Sequence, residues 1–479
     1  MIRGGMVHYG AALVLGRILL SAARMVAALC VARLTGAESF GAYALLLSLV
    51  GLFEWLVDFG QTDIAVRDVA RRPRRRDGTL HALMRAKRVQ GVAGAVALPL
   101  LLAGAGQGRE VVLAGCAGGV AIMATALAQP ARVALRVAMR MDRDIGAELA
   151  GLAVMLPLLA MAAVVGAPLP VLIATWAGAR LVQAALTIRW AGPVPPAPVR
   201  RGAAWRLARG AAPLGVAGLL VLLYDALAPL LLARLMDLHA VALFAAAARF
   251  IFPVLVAVQA INAAFLPVMA GHWRRDPAAL ARAQQAALLL SVGLAGLLFA
   301  GIHGGAAFLM ALMGPDFVGG AGLLQLMAWA LLARAVTTAM APLILIAGRQ
   351  AGAMLLTLAS LAAQVAALLL LVPRLGVTGA GLGYVLVELL LGTGAVSWVA
   401  QAVSGVAIDW RPVLLVLAFA AGAALLVDVS PIAGSFAGGV AAGALALGMM
   451  AAMALLTRAR AAPVWRELRK SRAAAGEAA

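Results

Sequence analysis

Charge is scarce in this 479-residue chain. Only 12% of its residues are Asp, Glu, Lys or Arg, and carboxylates are the scarcer sign, at 19 against 39 basic residues. A soluble protein of this length needs far more polar surface to cover its core, so a water-soluble fold is excluded. Cysteine is reduced to Cys30 and Cys116, both inside apolar runs, which excludes a disulfide framework and a thiolate metal site. The five histidines are scattered, with no pair at ligand spacing. Aromatic residues are few and do not interleave with the basic ones, so the formal charge of +20 does not describe a nucleic-acid binder.

What fills the chain is apolar sequence, 64% of it, with a mean hydropathy of +1.01. Runs of about 20 apolar residues, each long enough to cross a hydrocarbon layer of about 30 Å as a helix, recur from end to end. The expected fold is an all-α polytopic membrane protein with about 14 transmembrane helices. Their approximate positions are 9–33, 41–63, 86–105, 111–135, 145–166, 168–189, 211–233, 239–268, 286–310, 320–347, 351–372, 379–401, 412–429 and 434–457. The first run is too long for a signal-peptide core and reads as a retained span. Pro99, Pro157, Pro229, Pro253 and Pro342 fall inside spans, where neighbouring helices can satisfy the carbonyls they free.

Basic residues alternate between the gaps. The gap after span 2 holds Arg67, Arg71, Arg72, Arg74, Arg75, Arg76, Arg85, Lys87 and Arg88, and the even-numbered gaps and the C-terminal tail carry most of the rest. The odd-numbered gaps offer Arg109, Arg234 and Arg374. The positive-inside rule then places both termini in the cytoplasm and requires an even number of spans. The proline-rich stretch "WAGPVPPAPVRRGAAWRLARG" (Trp190 to Gly210) reads as a linker, and the chain rhymes across it: "ARLTGAESFGAY" at the start of one half, "ARLMDLHAVALF" at the start of the other. A duplicated transporter explains the echo, as does coincidence in a sequence of low diversity.

The stretch "ARLTGAESFGAYALLLSLVGLFEWLVDFGQTDIAVRDVAR" resembles the opening of polysaccharide (O-antigen, Wzx-type) flippases of the multidrug/oligosaccharidyl-lipid/polysaccharide (MOP) exporter superfamily. A short glycine turn follows span 1, and Asp58-Phe59-Gly60 leads from span 2 into a basic loop. "LMGPDFVGGAGLLQLMAW" (Leu312 to Trp329) and "LVPRLGVTGAGLGYVL" (Leu371 to Leu386) are similar to the family's turns into spans 10 and 12. The resemblance implies two pseudo-symmetric six-helix lobes in a V around a central cavity, plus two extra C-terminal helices. The corresponding segments are an N-lobe 1–190, a linker 191–210, a C-lobe 211–402, spans 13–14 in 403–457 and a basic tail 458–479. It further implies an undecaprenyl-pyrophosphate-linked oligosaccharide as cargo in a bacterial inner membrane, with membrane lipids and other polysaccharide-assembly proteins as partners. No cofactor or resident metal is expected, and coupling to a proton or sodium gradient is.

Seven arginines lie outside these gaps. Arg33, Arg132 and Arg180 are placed near span ends, where snorkelling accounts for them. Arg17 and Arg24 are seven residues apart and share one face of span 1, while Arg249 and Arg334 lie within spans 8 and 10. Charges at these depths face a cavity or a partner rather than lipid. Arginine stays charged and grips phosphate oxygens in a bidentate way, so Arg17, Arg24, Arg249 and Arg334 are the candidate pyrophosphate contacts. Related flippases likewise carry arginines on span 1 and in the C-terminal lobe.

Glu54 and Asp58 stand one turn apart on one face of span 2, and depth matching predicts that Asp58 pairs with Arg17. Asp225 and Glu388 are the candidates in the second half. These four carboxylates either couple or gate transport, or simply neutralise buried arginines. Asp63 reads as a solvated helix end. The competing classes are a lipid II flippase, a cation-coupled drug antiporter and a membrane-embedded polysaccharide polymerase or O-antigen ligase. The excess of arginine stands against the antiporter. The short outward gaps, without a nucleophile, paired-carboxylate or metal constellation, stand against an enzyme, so no catalytic residue is expected.

Overall fold

In the computed structural model the described residues are 2–194, 197–198 and 202–456, with side chains described for Gly16 and from Leu19 to Ala452 within them. Among these residues there is helix and turn and no strand. Eleven stretches are long and apolar enough to cross a membrane, and Phe436–Ala452 is a shorter apolar helix. Two of the eleven, Leu19–Arg71 and Gln350–Ser404, run to 53 and 55 residues, far longer than a bilayer needs. Each contains a break. Helix α1 (Ile2–Asp58) is two helices joined at Gly36, whose φ of 79° and ψ of 174° only glycine adopts without strain. Helix α12 (Gln350–Val387) is broken in the same way at Gly376. Both breaks fall in the glycine turns singled out in the sequence.

The remaining helices follow the apolar runs closely: α3 (Arg76–Gly104), α4 (Arg109–Val137), α5 (Met141–Val164), α6 (Leu169–Ala191), α7 (Ala203–Leu235), α8 (Leu238–His272), α9 (Pro277–Gly304), α11 (Ala321–Ile346), α14 (Trp410–Asp428) and α15 (Phe436–Leu456). The five expected intrahelical prolines are all inside helices. The short α10 (Ala306–Met313) leads through a 3-10 turn at Pro315–Gly320 into α11. Between α12 and α13 (Val396–Ser404) lies a π-helical segment, Glu388–Ala395.

Span 2 ends earlier than the sequence suggests. Phe59 takes a positive φ of 45° and Gly60 one of 72°, which stops α1 at Asp58 and redirects the chain into α2 (Gln61–Arg71). Helix α2 is amphipathic. It buries Ile64, Ala65 and Val69 against Leu80 and Leu83 of α3, Val133 of α4 and Leu207 of α7, while Arg67 and Arg71 stay exposed. The basic "loop" is thus a packed helix, because its apolar positions recur at helical spacing.

Contacts divide the chain into two compact units, residues 2–242 and 243–479. The division lies inside α8, since α7 packs on α1, α2 and α3. In the first unit Trp55 donates its indole N–H to the carbonyl of Gly215 at 3.1 Å. In the second, Met269, Leu288, Val292, Val336, Met340, Leu343, Val413 and Val416 form a core shared by α8, α9, α11 and α14. Leucines and valines such as Val89, Leu100, Val164, Leu390 and Leu426 are left exposed. An apolar exterior costs nothing when the surrounding solvent is lipid.

Candidate functional site

The first unit holds a chain of charges that links α1, α5 and α6, with a neutral partner on α4. Arg24 on α1 donates to Glu148 on α5. Glu148 also lies 3.8 Å from Arg180 on α6. Arg180 donates to Glu54 on α1 at 3.2 Å and to Gln183 at 2.8 Å, with its guanidinium 4.8 Å from the centroid of Trp176. Glu54 accepts a further bond from Thr125 of α4 at 2.7 Å. Two arginines and two glutamates balance, which is how apolar helices hold them at all. Exposure is graded along the chain: 43% for the Arg24 side chain, 21% for Glu148, 14% for Arg180.

Arg24 is therefore the accessible end of the network and Arg180 its half-buried hinge. That corrects the reading of Arg180 as a snorkelling residue: it sits in the middle of α6 and turns to carboxylates. Arg132 is corrected likewise, since it meets Asp144 of α5 at 2.9 Å, with Arg136 3.5 Å from the same carboxylate and 3.2 Å from Asp63. Arg33 is exposed on α1. Neither Glu148 nor Asp144 stood out in the sequence. Their signal was present as Asp142, Asp144 and Glu148 at the start of an apolar run, on a helix without a basic residue beyond Arg143.

Asp58 parts company with Glu54. Its carboxylate lies 3.5 Å from the ammonium of Lys87, and it accepts from the hydroxyl and backbone N–H of Thr62. Lys87 is fully buried and donates to the carbonyls of Val57 at 2.5 Å and Asp58 at 3.1 Å. The lysine thus caps the broken end of α1, where no further turn supplies N–H donors to the last carbonyls. Counting Lys87 among the loop cations missed this role. The expected partner of Asp58, Arg17, has a side chain outside the described residues.

In the second unit Arg334 of α11 donates to the Tyr384 hydroxyl, lies 5.8 Å from that ring's centroid and stands 3.7 Å from Glu388. Glu388 is buried at the first residue of the π-helical segment. That segment packs closely on α11, with Thr393 donating to the Ala333 carbonyl at 2.9 Å. Arg334 and Glu388, chosen separately from the sequence, are thus brought together. Arg249 is half-buried on α8 of this unit, and Asp225 is half-buried on α7 of the other. A pair the sequence did not disclose ties α9 to α14: His303 and Asp428 meet at 2.9 Å beside Phe299 and Trp329. Among the described residues no group of His, Cys, Asp and Glu could hold a metal ion.

Solved structures of membrane transporters share the all-helical fold that carries these charges. A "Lipid II flippase MurJ, inward closed conformation" superposes with a TM-score of 0.75 at 9% identity, covering 94% of this chain and 99% of that one. An inward-facing "multidrug resistance MATE family transporter of the MOP superfamily" gives 0.63 at 15% identity, covering 81% and 96%. An outward-facing structure of that family gives 0.61 at 16%, covering 83% and 96%. The model of the "Polysaccharide biosynthesis protein" family matches residues 30–297, more than half of the 479, and the chain belongs to that family. No curated protein matches it.

Proposed function

We propose that this protein moves an undecaprenyl-pyrophosphate-linked oligosaccharide across the bacterial inner membrane by alternating access through a cationic cavity, with both termini in the cytoplasm. The observation that carries the reading is Arg24: an arginine on an apolar helix, accessible over 43% of its side chain and held by a carboxylate at its other side. An anion is the ligand such a group awaits, and a pyrophosphate matches its fork of donors. Membership of a polysaccharide biosynthesis family supports a sugar cargo. Arg17, Arg249 and Arg334 are proposed as further contacts. Glu54, Asp58, Asp225 and Glu388 are proposed to tune them or to couple transport to a proton or sodium gradient. The six-helix lobes on either side of residues 191–210 are proposed to move against each other at the contacts that α7 makes with α1, α2 and α3, and no enzymatic step is assigned.

A lipid II cargo has the same pyrophosphate chemistry, and the likeness to a lipid II flippase fold keeps that second reading in view. Depletion of the protein followed by mass spectrometry of the accumulated lipid-linked intermediate separates them. An oligosaccharide repeat unit on undecaprenyl pyrophosphate is expected. Accumulated lipid II would establish the second reading, and no accumulated lipid-linked sugar would overturn both.

A further inference from the structure

Arg24 cannot hold a pyrophosphate while it holds Glu148 in full. We infer that Glu148 is a built-in competitor for the phosphate of the cargo, which occupies Arg24 when the site is empty and transfers to Arg180 when cargo arrives. This deepens the proposed function and rests on it.

Three observations carry the inference. First, Glu148 already lies between both arginines, bonded to Arg24 and 3.8 Å from Arg180, so the transfer needs a rotamer change and no helix movement. Second, Arg180 has capacity to spare. Its Nε is buried without a hydrogen-bond partner, and so are the indole N–H of Trp176 and the side-chain N–H₂ of Gln183, four and three residues away on the same helix. Three donors on and beside one guanidinium thus lack an acceptor, and leaving such groups unmet is costly. Third, the charges balance only in the empty state. Two guanidiniums and two carboxylates give zero, so a phosphate that displaced Glu148 into an apolar space would strand a buried charge. Arg180 removes that penalty, because it can close on Glu148 while keeping Glu54.

The arrangement has a functional consequence. Cargo binding is weakened by the competing carboxylate, and cargo release is assisted by its return. A transporter must let go on the far side, and an internal anion that re-occupies the arginine makes release favourable without a separate ligand.

The test measures binding of inorganic pyrophosphate to the purified full-length protein by isothermal titration calorimetry. Five variants are compared with the parent: Glu148→Gln, Glu148→Asp, Arg24→Ala, Asp144→Asn and the double variant Arg24→Ala with Glu148→Gln. Glu148→Gln is expected to tighten binding about tenfold, the scale of one charge-assisted hydrogen bond. Glu148→Asp, which keeps the charge but shortens the reach, should give a smaller gain and guards against a Gln variant that misfolds. Asp144→Asn, on the same helix but paired with Arg132 and Arg136, should change affinity little. Adding Arg24→Ala to Glu148→Gln should abolish the gain. In cells, Glu148→Gln is expected to lower export of surface polysaccharide despite its tighter binding. Unchanged or weaker pyrophosphate binding by both Glu148 variants, or a gain that survives loss of Arg24, would overturn the inference. If the parent and Arg24→Ala bind alike, the phosphate role of Arg24 itself fails. If Arg24→Ala loses binding while Glu148→Gln gains none, that role stands and the competitor is refuted.

Discussion

A buried cation in an apolar helix is defined by what it touches, and Lys87 and Arg180 illustrate two outcomes. Lys87 closes a local structural problem, the truncated end of α1, with two carbonyls and one carboxylate. Lys87→Met should cost on the order of 3 kcal/mol, because Asp58 and both carbonyls lose their buried partner. Thermal unfolding in detergent is the measurement, and combining it with Asp58→Asn should recover part of the loss. Arg180 joins three helices through two glutamates, so Arg180→Ala should lower thermal stability more than Arg24→Ala does. Arg24 has one half-buried partner and an exposed side, and its removal should instead depress export while leaving the fold. Equal stability losses in the two variants would contradict the graded exposure on which the network is read.

At the scale of elements, helices approach one another where the chain supplies glycine. A Cβ added to Gly119 on α4 would meet the backbone carbonyl oxygen of Ala95 on α3 at 2.4 Å, while one added to Gly51 on α1 meets nothing within 4 Å. Gly119→Ala therefore forces α3 and α4 apart and should cost about 1–3 kcal/mol, whereas Gly51→Ala should be neutral or gain up to about 1 kcal/mol from helix propensity. The same thermal measurement compares them. Much of this layer was legible in the sequence: apolar run lengths marked the helices, and the glycine turns marked the breaks at Gly36 and Gly376. The helical nature of residues 61–71 was obscured by arginines, although Ile64, Ala65 and Val69 carried the amphipathic spacing.

For the whole molecule, the placement of basic residues determines orientation. A fluorescent protein fused at the C-terminus should fold and fluoresce in the cytoplasm, and alkaline phosphatase at the same point should be inactive; the reverse pattern would refute the assigned topology. The two halves differ in their charge chemistry. Residues 2–242 carry a four-helix network with an accessible arginine, while residues 243–479 hold Arg334 against Tyr384 and Glu388 beside a π-helical segment. Insertions of that kind recur at functional sites. Conservative replacement of Glu388 by Gln should therefore impair export more than stability, which surface-polysaccharide assay and thermal unfolding together resolve.

Hydropathy, run length and the alternation of arginine-rich gaps determined by themselves that this is an all-helical, multi-pass membrane protein. Those properties follow from the cost of placing backbone and charge in hydrocarbon, and that cost depends on composition alone. The same scarcity of charge made each intramembrane arginine and carboxylate stand out. Which of them meet was decided by tertiary structure. Glu54 looked by spacing like a companion of Asp58, yet helix rotation and the break at Phe59 send one to Arg180 and the other to Lys87. Glu148 acquired its meaning only when α5 was laid against α1 and α6, because an ion pair between residues 124 positions apart leaves no local trace.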